Sequence, residues 1–313
     1  MYIGIDHGTT SLRFATDTGK RFKVSREAAK EFTLADLEKL CPRTEIEGIA
    51  LCYSMGDNFT EITPVQNLKN RGVITRNGAG EHIGGGTRVF DCIQESGLPA
   101  IAIPGIHRGS ATDPRFKIYS HQTSPEKLGI AYLAGSTLGE TFIISDISSN
   151  TVSLLVRDGR VIGAFDACVF APGTRHGALD VDAIRNVDAG KLSANEAFTT
   201  AGVSYHLEEK YQNPTVALWA AMECASLALL APDAPVALAG SLAPELAGEI
   251  SALLQKPVIV YDEWAASDGL AQIARAVFRG AKNILGIPVS SAPPGGAAKR
   301  SGGRRKPDEN GFR

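Results

Sequence analysis

The chain has 313 residues, 43% of them hydrophobic, and a formal net charge of −2. That length supports a large core and most naturally two domains. The near-balanced charge excludes a chain-wide nucleic-acid surface, and no apolar run reaches the length of a bilayer span, so neither nucleic acid nor membrane is an expected partner.

The opening MYIGIDHGTTSLRF predicts a strand over residues 2–6 that ends on Asp6. Further strands are predicted over 11–15 and 21–24, with Asp17-Thr18-Gly19-Lys20 as turn chemistry between them. Thr33 is a fitting N-cap for a helix over LADLEKL. Residues 47–53 read as a strand, 56–88 as a polar glycine-rich stretch and 98–103 as a short apolar strand. The helix PEKLGIAYLAG begins the second half. A strand over 141–145 follows, ending on Asp146, then strands over 151–156 and 161–165 joined by Arg157-Asp158-Gly159-Arg160. Helices are expected around 214–230, from Pro244 and over 268–282, with strands at 236–238 and 258–261. Residues 290–313 are rich in glycine, proline and basic side chains and predict a disordered tail. The domain expectation is therefore 1–125, 126–289 and the tail. Five cysteines stand singly, without CxxC, which suits free thiols in a reducing, cytoplasmic setting. The first residues are strand-like, so no signal peptide is expected.

Both halves start alike: strand, aspartate, small-residue turn, strand, tight turn, strand. Gly8, Thr9, Thr10 and Ser11 in one half, and Ser148, Ser149 and Asn150 in the other, let a phosphate approach backbone amides closely and add hydroxyl donors. Asp6 and Asp146 cannot bind phosphate directly, but each can hold magnesium through water while the ion bridges phosphate oxygens. Two such hairpins face to face would clamp a nucleotide. Gly240 and Ser241, between a strand and the helix at Pro244, bring a close-packed loop and a helix N-terminus to a ligand.

GIDHGTT, FIISDISSNTVSLLV, VALAGSLAPE and SDGLAQIARAVF resemble, in this order, the phosphate-one, phosphate-two, adenosine and second connecting motifs of the acetate and sugar kinase, Hsp70 and actin superfamily. GIAYLAG sits where the first connecting helix belongs. The resemblance implies an α/β fold of two similar ribonuclease H-like domains around a nucleotide cleft, with ATP and Mg2+ as cofactors. GTTSLRF, GGGTRVFDCI, YSHQTS and APGTRHGALDVDAI resemble segments of acetate and butyrate kinases, which implies active-site roles for Arg88, His121 and Arg175. One departure stands out. Acetokinases carry an aspartate where this chain has Pro104-Gly105. As a whole, MYIGIDHGTTSLRFA, YSMGD and GAGEHIGGGTRVFD resemble the methanogenesis marker protein family numbered 12, implying a role tied to methane metabolism. Three functions are compatible: a phosphotransferase acting on a small acceptor, an ATP-dependent switch serving a protein client, and an inactive nucleotide-binding protein. A homodimer is compatible with each.

Overall fold

A computed structural model describes residues 1–52, 59–68 and 85–290. YSMGD, most of the glycine-rich stretch and the basic tail fall outside those residues.

The first half is built on β1 (Tyr2–His7), β2 (Ser11–Thr16) and β3 (Arg21–Ser25), an antiparallel meander. β4 (Gly48–Cys52) joins β1 in parallel. Beyond it lie the short β5 (Thr63–Pro64) and β6 (Ala100–Ile103), in the order β3-β2-β1-β4-β6-β5. Helix α1 (Gly85–Glu95) covers one face of this sheet. A small ribbon of β7 (Ile106–His107) and β8 (His121–Thr123) leads to α2 (Glu126–Leu138). The predicted helix after Thr33 is a 3-10 helix, Leu34–Lys39, with the Asp36 carboxylate accepting from the Thr33 amide at 2.9 Å.

The second half repeats the plan. β9 (Phe142–Ile147), β10 (Thr151–Arg157) and β11 (Arg160–Asp166) form the meander. Helices α3 (Val181–Asp188), α4 (Ala194–Thr199), α5 (Val203–His206) and α6 (Glu209–Ala228) come next. β12 (Val236–Ala239) and β13 (Val258–Val260) then extend the sheet in parallel, in the order β11-β10-β9-β12-β13. α7 (Ala243–Leu254) and α8 (Ala265–Phe278) complete the half.

Strand periodicity decides which side chains meet. On β1, Ile3 and Ile5 point into a core shared with Val89, Phe90 and Ile93 of α1. Tyr2 points the other way, with Phe142 and Ile144 of β9, into a core that includes α2 and α8. Those two helices therefore lie between the sheets. Their approach is close because small residues line it. A Cβ on Gly269 would come within 1.8 Å of the Gly129 carbonyl oxygen, and one on Gly4 within 2.0 Å of the Ser267 carbonyl oxygen. A third core lies outside the second sheet, where Ile143 and Ile147 meet α6 and α7. Truncating a fully buried isoleucine such as Ile5 to alanine in such a core costs about 2–5 kcal/mol.

The same alternation gives Asp6 and Asp146 one orientation each. Both are even-numbered on strands whose even positions face the helix pair. The two carboxylates are thus turned towards the gap between the halves.

Candidate active site

A cavity of about 1090 Å³ opens between the halves. Gly8, Thr9 and Thr10 line it from the first turn, and Ser148, Ser149 and Asn150 from the second. Gly240 and Ser241 form a third wall at the end of β12. The turns touch: Ser149 Oγ donates to Thr9 Oγ1 at 3.2 Å. Gly240 sits at φ +93°, and a Cβ there would fall 2.3 Å from Asp146 Oδ1. Glycine is required on both counts. Ser11 begins β2, pairs with Ser25 and is not part of the cavity wall.

Asp6 and Asp146 are both buried at the floor of the cavity, in different surroundings. Burial, then the nearby Glu126, pushes the Asp6 carboxyl up to about 7, against the weaker pull of Arg13, whose Nη1 stands 3.4 Å from Asp6 Oδ2. Asp146 instead holds the ammonium of Lys127, with Nζ 2.7 Å from Oδ2. Lys127 also pairs with Glu126 at 2.9 Å. Burial alone would raise Glu126, but the Lys127 charge and the Ser124 hydroxyl, at 2.5 Å, hold its carboxyl below the usual range. Among the described residues no group of three His, Cys, Asp or Glu side chains is arranged to hold a metal directly.

Arg175 and His121 reach the same cavity. The GTRHG segment is laid against the second turn by its backbone: Thr174 N donates to Ser148 O at 3.1 Å, and Arg175 N to Ser149 O at 3.1 Å. From the other side Gly202 N donates to Arg175 O at 2.9 Å. The main chain of Arg175 is clamped while its side chain is exposed to the cavity and has no ion-pair partner among the described residues. His176 packs beside it, stacked on Phe198 at 4.8 Å, and burial pulls its imidazole below the ordinary value. His121, on β8, places Nε2 3.3 Å from Asp166 Oδ2 at the end of β11. Asn150 Nδ2 donates to the other oxygen of Asp166 at 3.2 Å. The His121 and Asn150 hydrogen bonds hold the Asp166 carboxyl low, although its burial acts in the opposite sense.

Arg88 is not brought together with the other candidates. It is exposed on α1, its Nε donates to Phe32 O at 3.0 Å, and it is absent from the cavity wall. α1 packs on the face of the first sheet that carries Ile3 and Ile5. His107 bonds Phe59 O at 3.1 Å and is also outside the cavity wall.

The chain is 46% identical to a UPF0285 protein of Methanosarcina mazei over 321 residues, which spans 92% of this chain and 98% of the relative. It is 42% identical to a UPF0285 protein of Methanocaldococcus jannaschii, over 92% of this chain and 98% of that one. The chain belongs to the UPF0285 family. Both relatives come from methanogenic archaea. No family model matches the sequence. Among solved structures, a ROK family glucokinase from Streptomyces griseus, in complex with glucose and AMPPNP, superposes with a TM-score of 0.50 at 13% identity, over 88% of this chain and 99% of that one. That likeness concerns the fold, and with the twice-repeated sheet plan it makes this member of the UPF0285 family an α/β protein of the acetate and sugar kinase, Hsp70 and actin type. No helix among the described residues is long and apolar enough to cross a membrane.

Among the cavity residues that escaped the sequence reading are Arg13, Glu126, Lys127 and Asp166. The last three carried a legible signal. Asp166 ends a strand, as Asp6 and Asp146 do. Glu126-Lys127 is a charged pair at the head of a helix that is otherwise small and apolar as far as Gly135.

Proposed function

We propose that this protein is a nucleotide-dependent phosphotransferase, with ATP phosphates held between the turns at 8–10 and 148–150 and a small acceptor on the side of Arg175 and His121. One observation carries this reading: both aspartate turns and the guanidinium of Arg175 converge on one cavity. Phosphoryl transfer asks mainly for positioning and for charge stabilisation around the moving group. The turn amides and hydroxyls suit the phosphates. Arg175, anchored by its main chain with its side chain in the cavity, suits the equatorial oxygens. Asp6 and Asp146 fit magnesium in its usual protein setting, one or two carboxylates with water and phosphate completing the shell. The buried Glu126 Oε2, without a hydrogen-bond partner, offers a further acceptor there. When bound, magnesium would neutralise phosphate charge. His121, oriented by Asp166, suits proton transfer with an acceptor group. The GTRHG and YSHQTS segments support an acetate and butyrate kinase-like branch, and the methanogen relatives support a place in methanogen metabolism.

A second reading is an ATP-dependent conformational switch serving a protein client. It is favoured by the contact between the turns and by a strip of ion pairs that ties the halves together. Arg13 and Lys23 each meet Glu263 at 3.1 Å, and Arg21 pairs with Asp268. In this reading ligand binding would loosen these contacts and so couple closure to occupancy.

The experiment is ATP turnover with a panel of short carboxylates and small hydroxyl compounds, with hydroxylamine to trap acyl phosphates. Acceptor-dependent ADP release supports the phosphotransferase, and acyl hydroxamate narrows the acceptor to a carboxylate. Acceptor-independent hydrolysis, raised by a methanogen extract, supports the switch. No nucleotide binding at all sinks both.

A further inference from the structure

We propose that Lys127 is a resident cation of the cavity, holding Asp146 in the seat a divalent ion would take, and that a metal–phosphate ligand enters by drawing Asp146 off the ammonium and leaving it to face the phosphate. The first half of that statement depends only on Lys127 and its partners. The second half rests on the nucleotide reading of the cavity.

Lys127 lies in the first turn of α2, at the end of the helix where backbone amides favour anions and disfavour an ammonium. Two carboxylates outweigh that local preference. Nζ sits 2.7 Å from Asp146 Oδ2 and 2.9 Å from Glu126 Oε1, and the three side chains are 10%, 11% and 15% exposed. Asp6 lines the same floor. Two carboxylates enclosing one ammonium have the charge pattern of a cation site already filled.

The geometry also says which oxygen a metal must compete for. Asp146 Oδ1 is packed against Gly240, where a Cβ would stand 2.3 Å away. The oxygen turned to the cavity cluster is Oδ2, and Lys127 holds it. Glu126 Oε1 is shared between Lys127 and Ser124, while its Oε2 is buried without a hydrogen-bond partner. An arriving cation would find Glu126 Oε2 unmatched and Asp146 Oδ2 contested.

The probe is Mn2+ without nucleotide, on the full chain, read by electron paramagnetic resonance and by thermal melting. Wild type and Lys127→Arg should bind the ion weakly. Lys127→Met removes a unit positive charge beside the carboxylates and should bind one Mn2+ more than about tenfold tighter. Its melting temperature should fall without metal and recover with it. Adding Asp146→Asn to Lys127→Met should abolish the gain. Equal Mn2+ affinity in wild type and Lys127→Met overturns the proposal. If Lys127→Met folds only with Mn2+ present, the proposal is supported. If it does not fold even then, Lys127→Gln, which removes the charge and keeps a polar group, is measured, and affinity no better than wild type overturns it. Calorimetry of wild type with Mg–ATP, and with ATP in chelator, keeps the two readings apart. Absence of binding in both removes the nucleotide reading and leaves the Mn2+ comparison standing.

Discussion

The two aspartate turns share a sequence pattern and a backbone plan, yet their carboxylates are in different states. Asp6 is pressed towards the neutral form by burial, with only a loose contact to Arg13 at 3.4 Å. Asp146 is ion-paired to Lys127 at 2.7 Å. The strands do not make this difference. It comes from α2, whose first turn delivers one ammonium to the second aspartate and one carboxylate close to the first. A repeated motif can therefore place two like groups on one cavity and still leave their chemistry to the element packed between them.

The largest expected effect tests whether the second turn also carries the reacting side of the cavity. Both turns have an arginine bonded to their carbonyls, Arg26 at the first and Arg175 at the second, but only Arg175 belongs to the GTRHG segment. Arg175→Ala should lower single-turnover phosphoryl transfer by a factor of roughly a thousand while ATP affinity stays nearly intact. Arg175→Lys should rescue poorly, since a point charge replaces a planar fork. Rates and binding constants of the three proteins decide it. Unchanged rates would leave Arg175 with no part in the chemistry.

Stability gives the next contrast. Asp146→Asn strips Lys127 of its closer partner in a buried setting and should cost about 3–5 kcal/mol in denaturant unfolding. Asp6→Asn resembles the neutral acid that burial already favours, and its cost at pH 7 should stay below about 1 kcal/mol. Equal losses would break the comparison between the turns.

A pH series sharpens the same contrast. The folded value of Asp6, about 7, lies above its ordinary 3.8. Its contribution to stability is then full below 3.8 and lost as pH rises through about 7. Wild type should lose stability relative to Asp6→Asn across that window, as melting temperatures would show, and the difference should level off above it. A flat difference would mean that Asp6 is ionised in the folded chain as readily as in the unfolded one.

The smallest effect belongs to the exposed strip between the halves. Lys23→Ala should cost no more than about 1 kcal/mol, and the cost should shrink in high salt, because Lys23 and Glu263 are half in solvent. A large, salt-insensitive loss would give the strip a structural weight that its exposure does not suggest.

Much of this molecule could be read from local pattern. Alternating and apolar runs predicted the meanders and the parallel strands within a residue or two, because a strand's faces follow from period two. The paired aspartates, the turn hydroxyls and Gly240 were legible as small residues and carboxylates at strand ends, and Arg175 only through the resemblance carried by GTRHG. The short helices over 181–206 went unassigned because each is too brief for helical periodicity to show. Arg88 lies apart from the other candidates, and a short motif carries no information on which face of a sheet its helix will cover. Lys127 and Asp166 had no role until the fold closed, since their partners Asp146 and His121 lie 19 and 45 residues away. Sequence by itself determined which groups could serve a phosphate. Tertiary structure alone decided which carboxyl is pushed up by burial, which is ion-paired and which guanidinium groups reach the cavity, because desolvation and Coulomb energy depend on distances that only packing sets.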